Sequence, residues 1–174
     1  MRSVADLSPE ELSSSHRLHD FANEVRGKFL TGAAWIEMLL SDIIATYFCT
    51  NEQRRPLFFS EIAVDLSLYR KTELLIKLLK QEFPTIVTSH PRLKTQLEGL
   101  RTFRNLLAHS HIDTSRSALS TRTQNEVTFI YYRNGKTERQ KVTRADAQQR
   151  AKEVNQLRST LIAIQARVMP RATS

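Results

Sequence analysis

The sequence predicts a mainly α fold, a helical bundle of four or five main helices with one appended β-hairpin. Three observations lead there. Apolar residues recur at helical spacing through most of the chain. Only four glycines and five prolines are spread over 174 residues, which favours long uninterrupted elements over an all-β design. From residue 126 to 142 the pattern changes to β-branched and aromatic residues on either side of Asn134-Gly135, the dipeptide of a tight type I′ hairpin turn.

Each element has its own local signal. Ser8-Pro9-Glu10-Glu11 is a helix start: Ser8 suits the N-cap, Pro9 the first helical position and Glu11 the capping-box acid, with Leu7 and Leu12 as a hydrophobic staple. This first helix is expected to end near Val25, with Leu18, Ala22 and Val25 on one side and Gly27 bending or breaking it. A second helix, over residues 28–48, carries Phe29, Ala33, Ile36, Leu40, Ile43 and Tyr47 at helical spacing, and Trp35, Leu39 and Ile44 widen that stripe. So broad an apolar face fits the central helix of a bundle or one shared between two subunits. Asn51 to Pro56 closes it. A short helix or turn leads to a better helix from about Ser67, with Leu68, Leu75, Leu79 and Phe83 in its stripe and Pro84 as its stop. A further helix follows His90-Pro91 and reaches about His109. Residues 110–125 read as a polar loop, the hairpin follows, and Thr143 caps a last helix with Ala147, Ala151, Val154, Leu161, Ile164 and Val168 in register.

The length suits one domain, residues 1–174, able to bury a core without staples. A lone cysteine, Cys49, cannot form an internal disulfide and sits in an apolar run as a buried, inert thiol, so a cytoplasmic home is expected. The N-terminus lacks the apolar centre of a signal peptide, and Glu37 and Asp42 interrupt the most apolar stretch, so no membrane partner is expected. Several function classes are disfavoured. There is no phosphate-cradling glycine loop and no nucleophile elbow around Ser13-Ser14-Ser15. His16 and His19 have no cysteine pair or acidic cluster to complete a metal site, so they are expected to face solvent, and no metal or other cofactor is expected. The formal charge of +8 favours a polyanionic partner.

The stretch RTFRNLLAHSH, residues 101–111, concentrates the chemistry. On a helical wheel Leu93, Leu97, Leu100, Phe103 and Leu107 form the buried stripe, and Arg101, Asn105 and His109 follow one another on the wetter side. Arg104 falls at the edge of the apolar stripe. A guanidinium there needs a carboxylate, a phosphate or several carbonyls. It either caps a helix end or pairs with an acid from another helix, or else it builds a partly buried cationic cleft beside His109. In the second case the two residues suffice for RNA cleavage without a metal. The imidazole, with an ordinary pKa of about 6.5, accepts the proton of a 2′-hydroxyl that attacks the adjacent phosphorus, and the guanidinium steadies the charge growing on the phosphoryl oxygens.

Arg104-Asn105-Leu106-Leu107-Ala108-His109 has the form R-N-x-x-A-H and resembles the R-x(4–6)-H signature of the HEPN superfamily. Leu66-Ser67-Leu68-Tyr69-Arg70-Lys71 is similar to a helix start found upstream in some relatives. The resemblance covers about residues 28–112, leaving the hairpin (126–142) and last helix (144–168) as an elaboration. It implies a small helical bundle with metal-independent endoribonuclease activity, in a homodimer whose two motifs share a cleft. Arg104 would steady phosphate, His109 transfer the proton and Asn105 orient the site. Relatives often act as toxins or antiphage effectors silenced by an antitoxin or other regulatory protein. Some are inactive modules that bind nucleic acid or a protein partner as regulators, and a distant likeness to the mannitol-repressor-like family runs through the same two helices.

Around this centre, Arg101, His111, Arg116 and Arg122 are the candidate RNA-contacting residues. Arg133, Lys136, Arg139, Lys141 and Arg144 gather about the hairpin, either as a charged edge that discourages strand pairing or as an arm where Tyr131 or Tyr132 stacks on a base.

Overall fold

In the structure, a computed structural model, residues 8–120, 125–133 and 135–168 are described, with Arg116, Ser120 and Arg133 by their backbone alone. In chain order the elements are α1 (Pro9–Phe48), α2 (Arg55–Phe58) running on into a π-helical turn (Phe59–Ala63), α3 (Leu68–Glu82), α4 (Pro84–Ser89), α5 (Leu93–His109), β1 (His111–Ile112), α6 (Arg116–Ser120), β2 (Glu126–Arg133), β3 (Lys136–Thr143) and α7 (Arg144–Val168). The fold is mainly α with a small antiparallel sheet, as the sequence predicts. The chain divides into two compact units. One takes α1 up to Leu30 together with Arg104–Ala151; the other takes Thr31–Phe103 together with α7 from Lys152.

Two expected helices are one. α1 runs unbroken through Gly27 for 40 residues. A mid-helix glycine is unfavourable by about 1 kcal/mol relative to alanine. Buried Val25 and Phe29 on either side of it, and the Lys28–Glu24 ion pair at 2.8 Å, keep the helix going. The capping box at its start is formed: the Glu11 amide donates to Ser8 Oγ at 3.2 Å, and the Ser8 amide to Glu11 Oε2 at 2.9 Å. Leu7, the other half of the expected staple, lies outside the described residues.

In the unit built on Thr31–Phe103, the core is Ala33, Ile36, Leu40, Ile43 and Ile44 of α1, Leu75 and Leu79 of α3, Leu97 of α5 and Leu161 and Ile164 of α7. α1 and α7 approach closely, since a Cβ on Gly32 would stand 2.7 Å from Val154 Cγ1. Gln165 Nε2 also donates to Asp42 Oδ2. Leu157 joins the α7 stripe, whereas Ala151, expected in it, is exposed. Ser67 caps α3 by accepting from the Arg70 amide at 3.3 Å. Lys71 is 1% exposed, and its Nζ donates to the Val64 carbonyl at 3.0 Å and pairs with Glu37 Oε1 at 3.5 Å, tying α3 to α1 and to the end of the π turn. Pro84 ends α3 and starts α4, because a missing amide hydrogen does no harm in a first turn. Cys49, just past α1, is half-buried rather than buried, and its thiol meets the Asn51 carbonyl at 3.5 Å. Trp35 and Met38, one turn apart on α1, are exposed, so the stripe Trp35 was expected to widen is not covered there. α1 also contains an 18-residue window apolar enough to cross a bilayer by length and composition, of which 50% is buried.

In the other unit, the sheet order is β1-β2-β3, all antiparallel. Val127, Phe129 and Val142 are buried while their neighbours along the strands are not, the alternation of a sheet covered on one face. Arg133 pairs with Lys136 across a two-residue connection where Gly135 has φ +72°; Asn134 lies outside the described residues. The segment expected as a loop holds β1 and α6. His111 and Ile112 extend the sheet by pairing with Ile130 and Phe129, because a polar stretch with a β-branched residue can still satisfy its backbone on a free strand edge. Thr143 caps α7 through a second capping box, its Oγ1 accepting from the Asp146 amide at 3.1 Å while Asp146 Oδ2 accepts from the Thr143 amide at 2.9 Å. The Thr143 hydroxyl also donates to Asp146 Oδ2, at 2.7 Å, and the bonds from the Thr143 amide and hydroxyl hold the Asp146 carboxyl below its ordinary value.

Candidate functional site

The end of α5 is built by its buried side. Leu93, Leu97, Leu100, Phe103 and Leu107 are all buried, with Leu106 beside them, so register along the helix fixes which polar residues stay outside. Arg104 is half-buried, and Asn105 and His109 are exposed. The Arg104 guanidinium donates from Nη1 to Asn105 Oδ1 at 3.2 Å and, among the described residues, meets no carboxylate. Among the described residues it therefore neither pairs with an internal acid nor caps a backbone carbonyl. Arg104 and His109 are five residues apart, about 140° around a helix, and would not by themselves face one group. Asn105, which accepts the Arg104 bond, is itself four residues before His109, about 40° from it around the helix.

His109 is the last residue of α5, and the segment after it is anchored from α1. Arg26 Nη2 donates to the Ser110 carbonyl at 2.6 Å and lies 3.4 Å from Ser110 Oγ. A cation at the carbonyl end of a helix is favourable, and a charge-assisted hydrogen bond is stronger than a neutral one. The same guanidinium stands 5.2 Å from the centre of the Phe129 ring, a cation–π contact, while its buried Nε has no acceptor among the described residues. Ser110 is thereby fixed between two exposed imidazoles, His109 and His111. Beyond them the Asp113 amide donates to the Thr128 carbonyl at 2.8 Å, and Asp113 Oδ1 accepts from the Ser115 amide at 3.0 Å. Burial pushes the Asp113 carboxyl up, but the Ser115 bonds and the Arg139 charge outweigh it and leave its pKa below the ordinary value.

The other expected contacts fare differently. Arg101 is half-buried, its guanidinium 4.9 Å from the Tyr69 ring centre. His111 lies in β1 rather than in a loop, and Arg116 opens the short helix α6. Arg122 lies outside the described residues. The hairpin cations are mostly committed: Lys141 to Glu126 at 2.6 Å, Arg139 to Asp113 at 3.5 Å and Arg144 to Glu24 at 3.6 Å. Tyr131 donates to Glu138 at 2.6 Å, and Tyr132 is 75% exposed. Arg26 escapes a sequence reading because its partners lie about a hundred residues away. Its only trace is a cation beside the buried face Phe21, Ala22, Val25 and Phe29.

His16 and His19 are exposed, and among the described residues no three His, Cys, Asp or Glu gather as metal ligands. Chemically, the end of α5 offers a permanent cation bonded to an amide and, one turn beyond that amide, an exposed imidazole. Compared with known proteins, the chain matches no family model, no curated sequence and no solved structure.

Proposed function

We propose that this chain is a metal-independent endoribonuclease of the HEPN type, with Arg104, Asn105 and His109 acting on a ribose-phosphate linkage. One observation carries the reading: a guanidinium that meets no carboxylate among the described residues and bonds Asn105, itself one helical turn from an exposed imidazole. His109 takes the proton of the 2′-hydroxyl and the 2′-oxygen bonds to phosphorus. The bond from phosphorus to the 5′-oxygen breaks, a proton goes to that oxygen, and a cyclic phosphate remains. Arg104 meets the charge that builds on the non-bridging oxygens, which its planar fork suits. His111 and Arg116 extend the contact surface for RNA.

A homodimer fits the same reading, because a second copy supplies a second imidazole to return the proton, and exposed Trp35 and Met38 offer an apolar face for it. A cytoplasmic toxin or defence effector, kept silent by an antitoxin or other regulatory protein, is the setting the resemblance implies. A second reading, a non-catalytic module that binds nucleic acid or a protein partner, draws on the His109 ring, which has no hydrogen-bond partner among the described residues to orient it. The two part in a simple experiment. Purified protein is incubated with mixed RNA in excess chelator beside His109→Ala and Arg104→Ala. Cutting by wild type alone, leaving cyclic-phosphate ends, is expected; RNA retention without cutting by any of the three points to the module.

A further inference from the structure

A second basic surface lies on α3, outside the motif. A groove of about 620 Å³ is lined by Arg70, Lys77, Lys80 and Lys94, by one acid, Glu73, and by apolar residues that include Leu66 and Leu74. The α3 cations fall within about 120° of the helix circumference and span about 15 Å of its axis, so one helix face presents them together. Lys94 is paired with Glu73 at 2.9 Å. Among the described residues, Arg70, Lys77 and Lys80 have no carboxylate partner. This separates the groove from the hairpin, where Arg139 and Lys141 are each beside an acid. Three cations without an ion pair stand in one groove whose acid, Glu73, is engaged by Lys94, which leaves the groove a net positive charge that favours an anion. Their span exceeds a single phosphate and suits a chain of them.

We infer that the α3 groove binds the phosphate backbone of single-stranded RNA, with Arg70, Lys77 and Lys80 each meeting a phosphate. The ribonuclease reading supplies only the choice of RNA as the polyanion; the groove itself stands on its own charges. An acidic polypeptide is the other occupant such a rim admits, and it becomes an arm of the test.

The test measures the Kd of a labelled twelve-residue uridine oligonucleotide from 50 to 200 mM salt, in a His109→Ala background that prevents cutting. Neutralising Arg70, Lys77 and Lys80 together to glutamine is expected to weaken binding at least about tenfold at 100 mM salt and to make the salt slope shallower by about 2, three phosphates at about 0.7 each. Lys77→Gln alone is expected to remove about a third of that slope change, and Arg139→Gln with Lys141→Gln to remove almost none. An unchanged slope in the triple variant, a larger loss from the hairpin pair, or polyglutamate of equal charge displacing the RNA would each overturn the inference. The outcomes separate the two proposals. RNA binding lost with the α3 cations, in a protein that never cuts, leaves the groove standing and removes the ribonuclease. Cutting by wild type with an unchanged slope in the triple variant does the reverse.

Discussion

Lys71 and Arg104 are both cations at the edge of an apolar helix face, and the chain treats them in opposite ways. Lys71 is 1% exposed and fully engaged, by a backbone carbonyl at 3.0 Å and by Glu37 at 3.5 Å. Arg104 is only half-buried, meets no acid among the described residues and leans on a neutral amide at 3.2 Å. A buried charge that lacks a partner is costly, so Lys71 exists only because its partners do. Arg104 is under no such compulsion, and its guanidinium stays available to an incoming anion. The first behaves as a joint of the fold; the second, on the reading proposed above, is a tool.

The sharpest way to break this contrast is to remove the joint. Lys71→Met leaves the Val64 carbonyl and Glu37 without their partner and is expected to lower stability by about 2–3 kcal/mol in urea or guanidinium unfolding; a neutral result would make Lys71 dispensable and weaken the distinction. Arg26 lies between the two cases, an engaged cation that also fixes the segment between His109 and His111. Arg26→Met is expected to lose about 1–2 kcal/mol and to speed amide exchange at residues 110–111, measured by hydrogen–deuterium exchange. Unchanged exchange there would deny it the anchoring role.

Two glycines on α1 sharpen the comparison between packed and open sites. Gly27→Ala adds a methyl group into open space and is expected to stabilise by about 0.5–1 kcal/mol. Gly32→Ala drives its Cβ to 2.7 Å from Val154 Cγ1, on a side chain stiff at χ1, and is expected to destabilise by about 1 kcal/mol after the gain in helix propensity. Thermal midpoints that move the same way in both variants would contradict the close approach of α1 and α7. The smallest effect concerns pH. Asp113 has its pKa lowered in the fold, so its contribution is fully present above the unfolded value of about 3.9 and is lost as pH falls through the lower folded value. Asp113→Asn should flatten the acid limb of the stability profile, and an unchanged limb would show that its bonds to Ser115 do not hold in solution.

Much of the fold was legible because its signals are local. Ser8 and Thr143 cap the helices the sequence assigns them, a helix begins beside Ser67 as expected, and the leucines of α5 are buried in the predicted register. Gly27 misleads, since propensity is a weak force against buried neighbours on both sides. β1 and α6 were hidden in a polar segment because pairing with Ile130 and Phe129 is a long-range event. At the site, spacing alone groups Asn105 with His109, and the resemblance adds Arg104. The Tyr69 contact of Arg101, the Arg26 anchor and the α3 cations without an ion pair could not be read that way, as each depends on which charges find partners in three dimensions.

The most direct measurement is the pairing of cleavage kinetics with unfolding for Arg104→Ala on one defined RNA. If the guanidinium is a tool, kcat/KM is predicted to fall about a thousandfold, near 4 kcal/mol in the barrier, with stability within about 0.5 kcal/mol of wild type. A variant that cuts as fast as wild type, or one that loses several kcal/mol of stability in step with its activity, would place Arg104 in the framework beside Lys71 and contradict the catalytic role.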